Sequence, residues 1–257
     1  MPFVLPGVVK IPARNSFEEG AMLEPVNTVL KAVKRLALLP SDNVLVAGQG
    51  PIGLIFTRIL KLQGINVLAT DLMPQRLRLA QQWGAKWVSN PNNLNSVAFQ
   101  TTPSKVKKRG SFSKAHEISH RPSSIVHPRS TIFDAAILAV PSDAALKQAV
   151  ELVRGAGQVL LFAHTKRGYS TDLDLASICV DEKDLIGSYS ADFTLQKEVA
   201  RLVFSRKLDV RSLISHRFDL ENAVAAVELA AHPTPESFKI IITSGGRKTR
   251  ISQIFTD

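Results

Sequence analysis

The stretch VLVAGQGPIGL, residues 44–54, joins an apolar run to a Gly-x-Gly-x-x-Gly turn and the start of a periodic segment. Val44 to Ala47 reads as a strand, and Ile52, Ile55, Phe56, Ile59 and Leu62 recur beyond it at helical spacing. Three glycines at this spacing are a weak signal alone, because glycines pair by chance in any loop. Set between a strand and a helix they form the phosphate-binding turn of a β-α-β unit. Gly48 permits the tight turn, Gly50 lets the backbone approach a pyrophosphate, and Gly53 allows helix and strand to pack closely. Pro51 suits the first helical position, and the helix N-terminus offers free N–H groups and a partial positive charge to phosphates.

Asp71 lies 18 positions past the third glycine, at the end of the next predicted strand, Asn66 to Thr70. A carboxylate there accepts hydrogen bonds from the adenosine ribose hydroxyls and repels the extra phosphate of NADP, so the expected cofactor is NAD rather than NADP. Arg76, five residues on, is placed to stack on the adenine or to offset part of that repulsion. Asp71 could equally cap a helix starting near Met73.

Working outward, strands and helices alternate. Glu24-Pro25 opens a helix carrying Val26, Val29, Leu30, Val33 and Leu36. A helix over Pro74 to Trp83 is stopped by Gly84, and Lys86 to Ser89 reads as a strand. Strand Ile132 to Val140, helix Ser142 to Arg154, strand Gln158 to Ala163, strand Leu185 to Tyr189 and a helix over Thr194 to Ser205 follow. Leu213 to Phe218, a helix over Leu220 to Ala231 and strand Phe238 to Thr243 complete the pattern. The fold class expected is α/β, a Rossmann-type doubly wound parallel sheet whose apolar strands, including that near Leu185, are covered on both faces.

The formal charge of +10 is concentrated: residues 91–130 hold seven Lys/Arg against Glu117 alone, with eight serines and four prolines. The segment reads as a basic insertion without sustained apolar period. Around its KVKKRG run, residues 105–110, it lacks interleaved aromatics apart from Phe112, so nucleic-acid binding is not expected. It also spells His116-Glu117-Ile118-Ser119-His120, the letters of a zinc peptidase motif, but in a Ser/Pro-rich context where a stable helix is not expected. His127 lies in the same loop. No apolar run approaches the roughly 18 to 20 residues of a membrane span, and no signal-peptide pattern opens the chain, which predicts a cytoplasmic protein. The single cysteine, Cys179, excludes an internal disulfide, and is expected on a helix between two late strands as a small buried apolar residue.

SFEEGAMLEPVNTVLKAVKRL (16–36), VLVAGQGPIGL, TDLMPQRLRLAQQWGAKWV (70–88) and LIGSYSADFTLQKEVARLVFSRKLDVRSLISHRF (185–218) together resemble the medium-chain, zinc-dependent alcohol dehydrogenase superfamily, nearest its sorbitol and threonine dehydrogenase branch. The resemblance implies a dinucleotide domain over residues 26–210, interrupted by 91–130. It also implies remnants of a GroES-like catalytic domain at 1–25 and 211–246, with 247–257 as a flexible tail. It implies hydride transfer between an alcohol or polyol and nicotinamide, and a homodimer joined through sheet edges. By position, Ile52 matches the residue near the nicotinamide ribose, and Ala139 and Val140 the adenosine and ribose shelf. Phe162 and Ala163 match the loop beside the nicotinamide, where the family usually has Gly instead of Ala163; Ser188 and Tyr189 match the last cofactor-facing segment. The Cys and the His-Glu pair that hold catalytic zinc in the family have no counterpart here; only Glu24 matches a metal-site position. One carboxylate cannot hold a zinc that takes three protein ligands, so zinc binding by this chain is not expected. Glu24 could equally be a first-turn residue favoured by the helix dipole. Two readings follow: the cofactor half of a dehydrogenase completed by the missing catalytic part, or a truncated, non-catalytic dinucleotide-binding protein.

Overall fold

A computed structural model of the chain describes residues 7–96, 133–163 and 166–244. The insertion beyond Ser96, with its His-Glu-x-x-His letters, and the tail from 245 onward lie outside them.

The order of elements is α1 (Phe17–Ala21), α2 (Leu23–Val33), β1 (Asn43–Ala47), α3 (Pro51–Leu62), β2 (Asn66–Thr70), α4 (Pro74–Trp83) and β3 (Trp87–Ser89). Then come β4 (Phe133–Leu138), α5 (Asp143–Leu152), β5 (Val153–Leu161), α6 (Leu175–Cys179), β6 (Asp184–Gly187), α7 (Gln196–Phe204), β7 (Ile214–Asp219), α8 (Ala223–Ala231) and β8 (Lys239–Thr243). Six strands form one parallel sheet in the order β3-β2-β1-β4-β5-β6, and β7 and β8 pair separately. Strand order therefore reverses between β1 and β4, where a crevice opens at the carboxyl ends of an open α/β sheet.

Side chains alternate across the central strands as the pleat requires. Val44, Val46, Val67 and Ala69 enter the core beneath α2, α3 and α7, while Leu45, Ala47 and Leu68 enter the core beneath α5. Both faces are apolar because both are covered, the expected state of a parallel sheet. Coverage fails at β6. Asp184, Leu185 and Gly187 are exposed, Leu185 by 38%, so the expectation of burial on both faces is corrected here. As the outermost strand, β6 has a neighbour on one side only among the described residues. Cys179 is likewise corrected: it ends α6 between β5 and β6 as expected, but α6 buries none of its residues and the thiol is exposed.

Helix boundaries follow local chemistry. α4 begins with Pro74 at its first turn and ends at Gly84, whose φ of 109° is the left-handed geometry that glycine adopts readily. α1, not anticipated from the sequence, is set by a capping box in which Ser16 Oγ accepts from Glu19 N–H and Glu19 Oε2 accepts from Ser16 N–H. α5 ends at Leu152, two residues earlier than expected, and β5 runs from Val153 with a register shift against β4. The Gly155-Ala156-Gly157 stretch breaks the helix, and Ala156 N–H donates to Asp181 O.

Candidate functional site

The turn between β1 and α3 sits at the crevice. Gly48 has a φ of 89°, and a Cβ there would lie 3.0 Å from Val140 Cβ and 3.3 Å from the Ala139 carbonyl. A Cβ on Gly53 would fall 1.8 Å from the Gly48 carbonyl oxygen, so only glycine lets the helix sit this close to the turn. Gly50 differs: a Cβ there would meet nothing within 4 Å, leaving open space above the backbone. Gly50 caps α3, Pro51 occupies its first turn, and among the described residues no side chain makes a capping hydrogen bond there. An uncapped helix N-terminus beneath an open glycine is a ready anion site, and the chain thus fits a pyrophosphate.

Asp71 follows β2 and is 8% exposed. Its Oδ2 accepts from Gln49 N–H at 2.7 Å and its Oδ1 from Met73 N–H at 2.9 Å, so the carboxylate ties the turn to the segment entering α4. The capping alternative takes that form: Asp71 shapes the approach to α4 rather than capping its first-turn donors. Each oxygen keeps a further acceptor position for a ribose hydroxyl. Arg76 Nη1 stands 3.7 Å from Asp71 Oδ2, with its guanidinium 5.9 Å from the centre of the Phe238 ring and its buried Nε without a partner among the described residues.

Gln49 was not singled out in the sequence, yet it is fully buried under the turn. Its Nε2 donates to Val46 O and its Oε1 accepts from Thr57 Oγ1, fastening the loop to β1 and α3. The signal was weak: an amide among glycines looks like any loop residue.

Across the crevice, Ala139 N–H donates to Ala47 O, and the N–H groups of Phe162 and Ala163 both donate to Leu138 O. These contacts bring the ends of β4 and β5 beside the glycine turn. Phe162 is held by an edge-on contact with Phe56 of α3, ring centres 5.0 Å apart. A cavity of about 240 Å³ lies next to it, lined by Glu24, Thr28, Phe162, Ser188, Tyr189 and Ser190. Glu24 Oε1 accepts from Thr28 Oγ1 at 2.9 Å. Tyr189 is 79% exposed, and its carbonyl accepts from Lys31 Nζ. Ile52 packs against the larger core at the start of α3.

The loop after β6 is bolted down by a residue that sequence reading passed over. Asn27, buried on α2, exchanges hydrogen bonds with the Asp192 backbone: its Nδ2 donates to Asp192 O and its Oδ1 accepts from Asp192 N–H, both at 2.9 Å. Hydrogen bonds from the Thr194 hydroxyl and N–H hold the Asp192 carboxyl below its ordinary range. Among the described residues no group of three or more His, Cys, Asp or Glu converges on a point, so they do not compose a zinc site, and Glu24 stands alone. No helix among the described residues is long and apolar enough to cross a membrane.

The chain is similar in sequence and in fold to known dehydrogenases. The chain is 28% identical over 231 residues to L-arabinitol 4-dehydrogenase of Talaromyces emersonii, covering 89% of this chain and 56% of that protein. It is 27% identical over 222 residues to sorbitol dehydrogenase of Rattus norvegicus, covering 86% and 55%. Its fold matches a Sinorhizobium meliloti 1021 protein solved bound to NADP, with a TM-score of 0.72, 21% identity, and coverage of 91% and 62%. An E. coli CFT073 alcohol dehydrogenase complexed with NADH gives 0.71, 20%, 91% and 62%. The chain thus spans little more than half the length of the curated relatives it matches. The family model for zinc-binding dehydrogenases matches residues 51–205, more than half of the chain, and the chain belongs to that family.

Proposed function

We propose that this chain holds NAD(H) for hydride transfer between an alcohol or polyol and the nicotinamide, acting as the cofactor-binding part of a zinc-type dehydrogenase. The observation that carries the reading is the open, uncapped helix start beneath Gly50, set at the strand-order reversal beside the buried carboxylate of Asp71. The site takes the dinucleotide along the carboxyl ends of the strands. Gly48, Gly50, Pro51 and Gly53 form the turn for the pyrophosphate, with Gly53 letting the helix pack close; Asp71, Arg76, Ala139 and Val140 serve the adenosine side, Ile52 the nicotinamide ribose, and Phe162, Ala163, Ser188 and Tyr189 the nicotinamide side. Asp71 supports NAD over NADP by charge repulsion; of the two solved structures compared above, one is bound to NADP and one to NADH. Residues 26–210 form the dinucleotide domain in this reading, with 1–25 and 211–246 belonging to a catalytic domain. The exposed β6 edge supports homodimer pairing.

Calorimetric titration with NAD⁺ and NADP⁺ tests the reading: saturable binding with NAD⁺ the tighter is expected, and no heat with either ligand overturns it. The described residues do not compose a zinc site, which favours a second reading in which the chain binds dinucleotide without turning over alcohol. A sorbitol oxidation assay with added zinc separates the two, since robust NADH formation by the chain alone excludes the second.

A further inference from the structure

α7 buries Val199, Val203 and Phe204 in the core and leaves Lys197 and Arg201 exposed, one turn apart. Together with the segment before α1 it lines a groove of about 1050 Å³. Lys207, just past the helix, and Arg14, whose Nη2 donates to Phe204 O at 3.3 Å, add two more cations to the lining. Among the described residues none of these four cations is in an ion pair. The groove's one acid, Glu198, is held by Lys34 at 3.0 Å and so does not offset them. Solvated faces ordinarily interleave both signs, whereas this one carries an uncompensated positive charge. Val9, Pro12 and Leu202, each half-buried, give the same groove an apolar lining.

The spread of the charge narrows the occupant's chemistry. α7 is nine residues long, roughly 13 Å, and Lys207 lies three residues past its end. One carboxylate or phosphate cannot meet cations distributed over that length, but acids carried along a single chain can. In an extended chain, side chains on one face recur about every 7 Å. That is close to the roughly 5 to 6 Å between Cβ atoms one helical turn apart, the relation of Lys197 to Arg201. The intervening side chains point the other way, and the apolar lining suits them when they too are apolar. We propose that this groove docks an extended segment of a partner protein in which acidic and apolar residues alternate. It shares no lining residue with the dinucleotide site, so the two are separate surfaces of the chain.

Fluorescence anisotropy of the full chain with a labelled Glu-Leu-Glu-Leu-Glu-Leu-Glu peptide tests the proposal. Saturable binding is expected, weakened about tenfold by Lys197→Glu with Arg201→Glu and unchanged by Lys107→Glu with Lys108→Glu in the basic insertion. Wild type that does not bind the peptide, a groove pair without effect, or equal weakening by both pairs overturns it. An arm independent of how the variants fold uses wild type and a peptide with serine in place of each leucine. It is expected to bind about tenfold more weakly, and equal affinity means bulk charge attraction and overturns docking in the groove. Wild type that binds phosphatidylserine vesicles through Lys197 and Arg201 but not the peptide overturns it in favour of a membrane surface.

Discussion

Gly50 and Gly53 stand three residues apart under opposite constraints, and the contrast separates folding from binding. A methyl on Gly53 would overlap the Gly48 carbonyl, so Gly53→Ala is expected to lower unfolding free energy by about 3 kcal/mol in urea titration. A methyl on Gly50 points into open space, so Gly50→Ala should change stability by less than about 1 kcal/mol. It should nonetheless weaken NAD⁺ about tenfold by calorimetry, because the methyl enters the volume assigned to the pyrophosphate. A Gly50→Ala protein with wild-type affinity would place the phosphates elsewhere. Asp71 joins both roles. Asp71→Ser removes the acceptor of Gln49 and Met73 N–H groups, at a cost of about 1 to 3 kcal/mol. It also removes the repelling charge, so the ratio of NADP⁺ to NAD⁺ affinity is expected to rise about tenfold; an unchanged ratio would detach Asp71 from the ribose. The glycines and Asp71 were legible because their spacing carries the reason for them. Gln49 and Asn27 were not, since an amide becomes a fastener only when a fold surrounds it.

At the scale of elements, α1 is held to the turn after α7 by one carboxylate. Glu19 is almost fully buried; its Oε1 accepts from Arg206 Nε at 3.2 Å and from Asn15 Nδ2 at 2.9 Å. Arg206 adopts a positive φ of 60°, and its Nη2 donates to Arg14 O. Burial pushes the Glu19 carboxyl up, but the Ser16 N–H, the Asn15 amide and the Arg206 guanidinium outweigh it and hold it below its ordinary value of 4.5. A folded-state value below the unfolded one adds stability above the unfolded pKa and loses it as pH falls through the folded one. The melting temperature of wild type minus that of Glu19→Gln should therefore be positive and level above about pH 5, then shrink as pH falls below about 4.5. A difference that stays constant down to about pH 3 would show that the carboxylate charge contributes nothing. α1 was invisible to periodicity because five residues are too few for a repeat, although its Ser-x-x-Glu capping letters were present.

At the scale of the molecule, α8 is apolar but barely covered. Leu220, Val224 and Val227 are 63%, 72% and 62% exposed, and Ala226 is the helix's one buried residue. Apolar surface of this kind promotes association. Val224→Lys with Val227→Glu is expected to reduce light scattering of the purified chain. Because both side chains are exposed, stability should move by no more than about 0.5 kcal/mol. A collapse of the melting transition would mean that these valines are packed in solution. The alternation of strand and helix and the glycine turn determined a doubly wound sheet from sequence alone and pointed to the dinucleotide site proposed above, because backbone geometry at a phosphate-binding turn admits few residue types. Only the tertiary structure decided that, among the described residues, β6 is an uncovered edge, Cys179 is exposed, Asn27 anchors the loop after β6, and the Ser188 hydroxyl has no partner. Those outcomes depend on which surfaces meet across long separations in the chain, and periodicity carries no record of which faces are left uncovered.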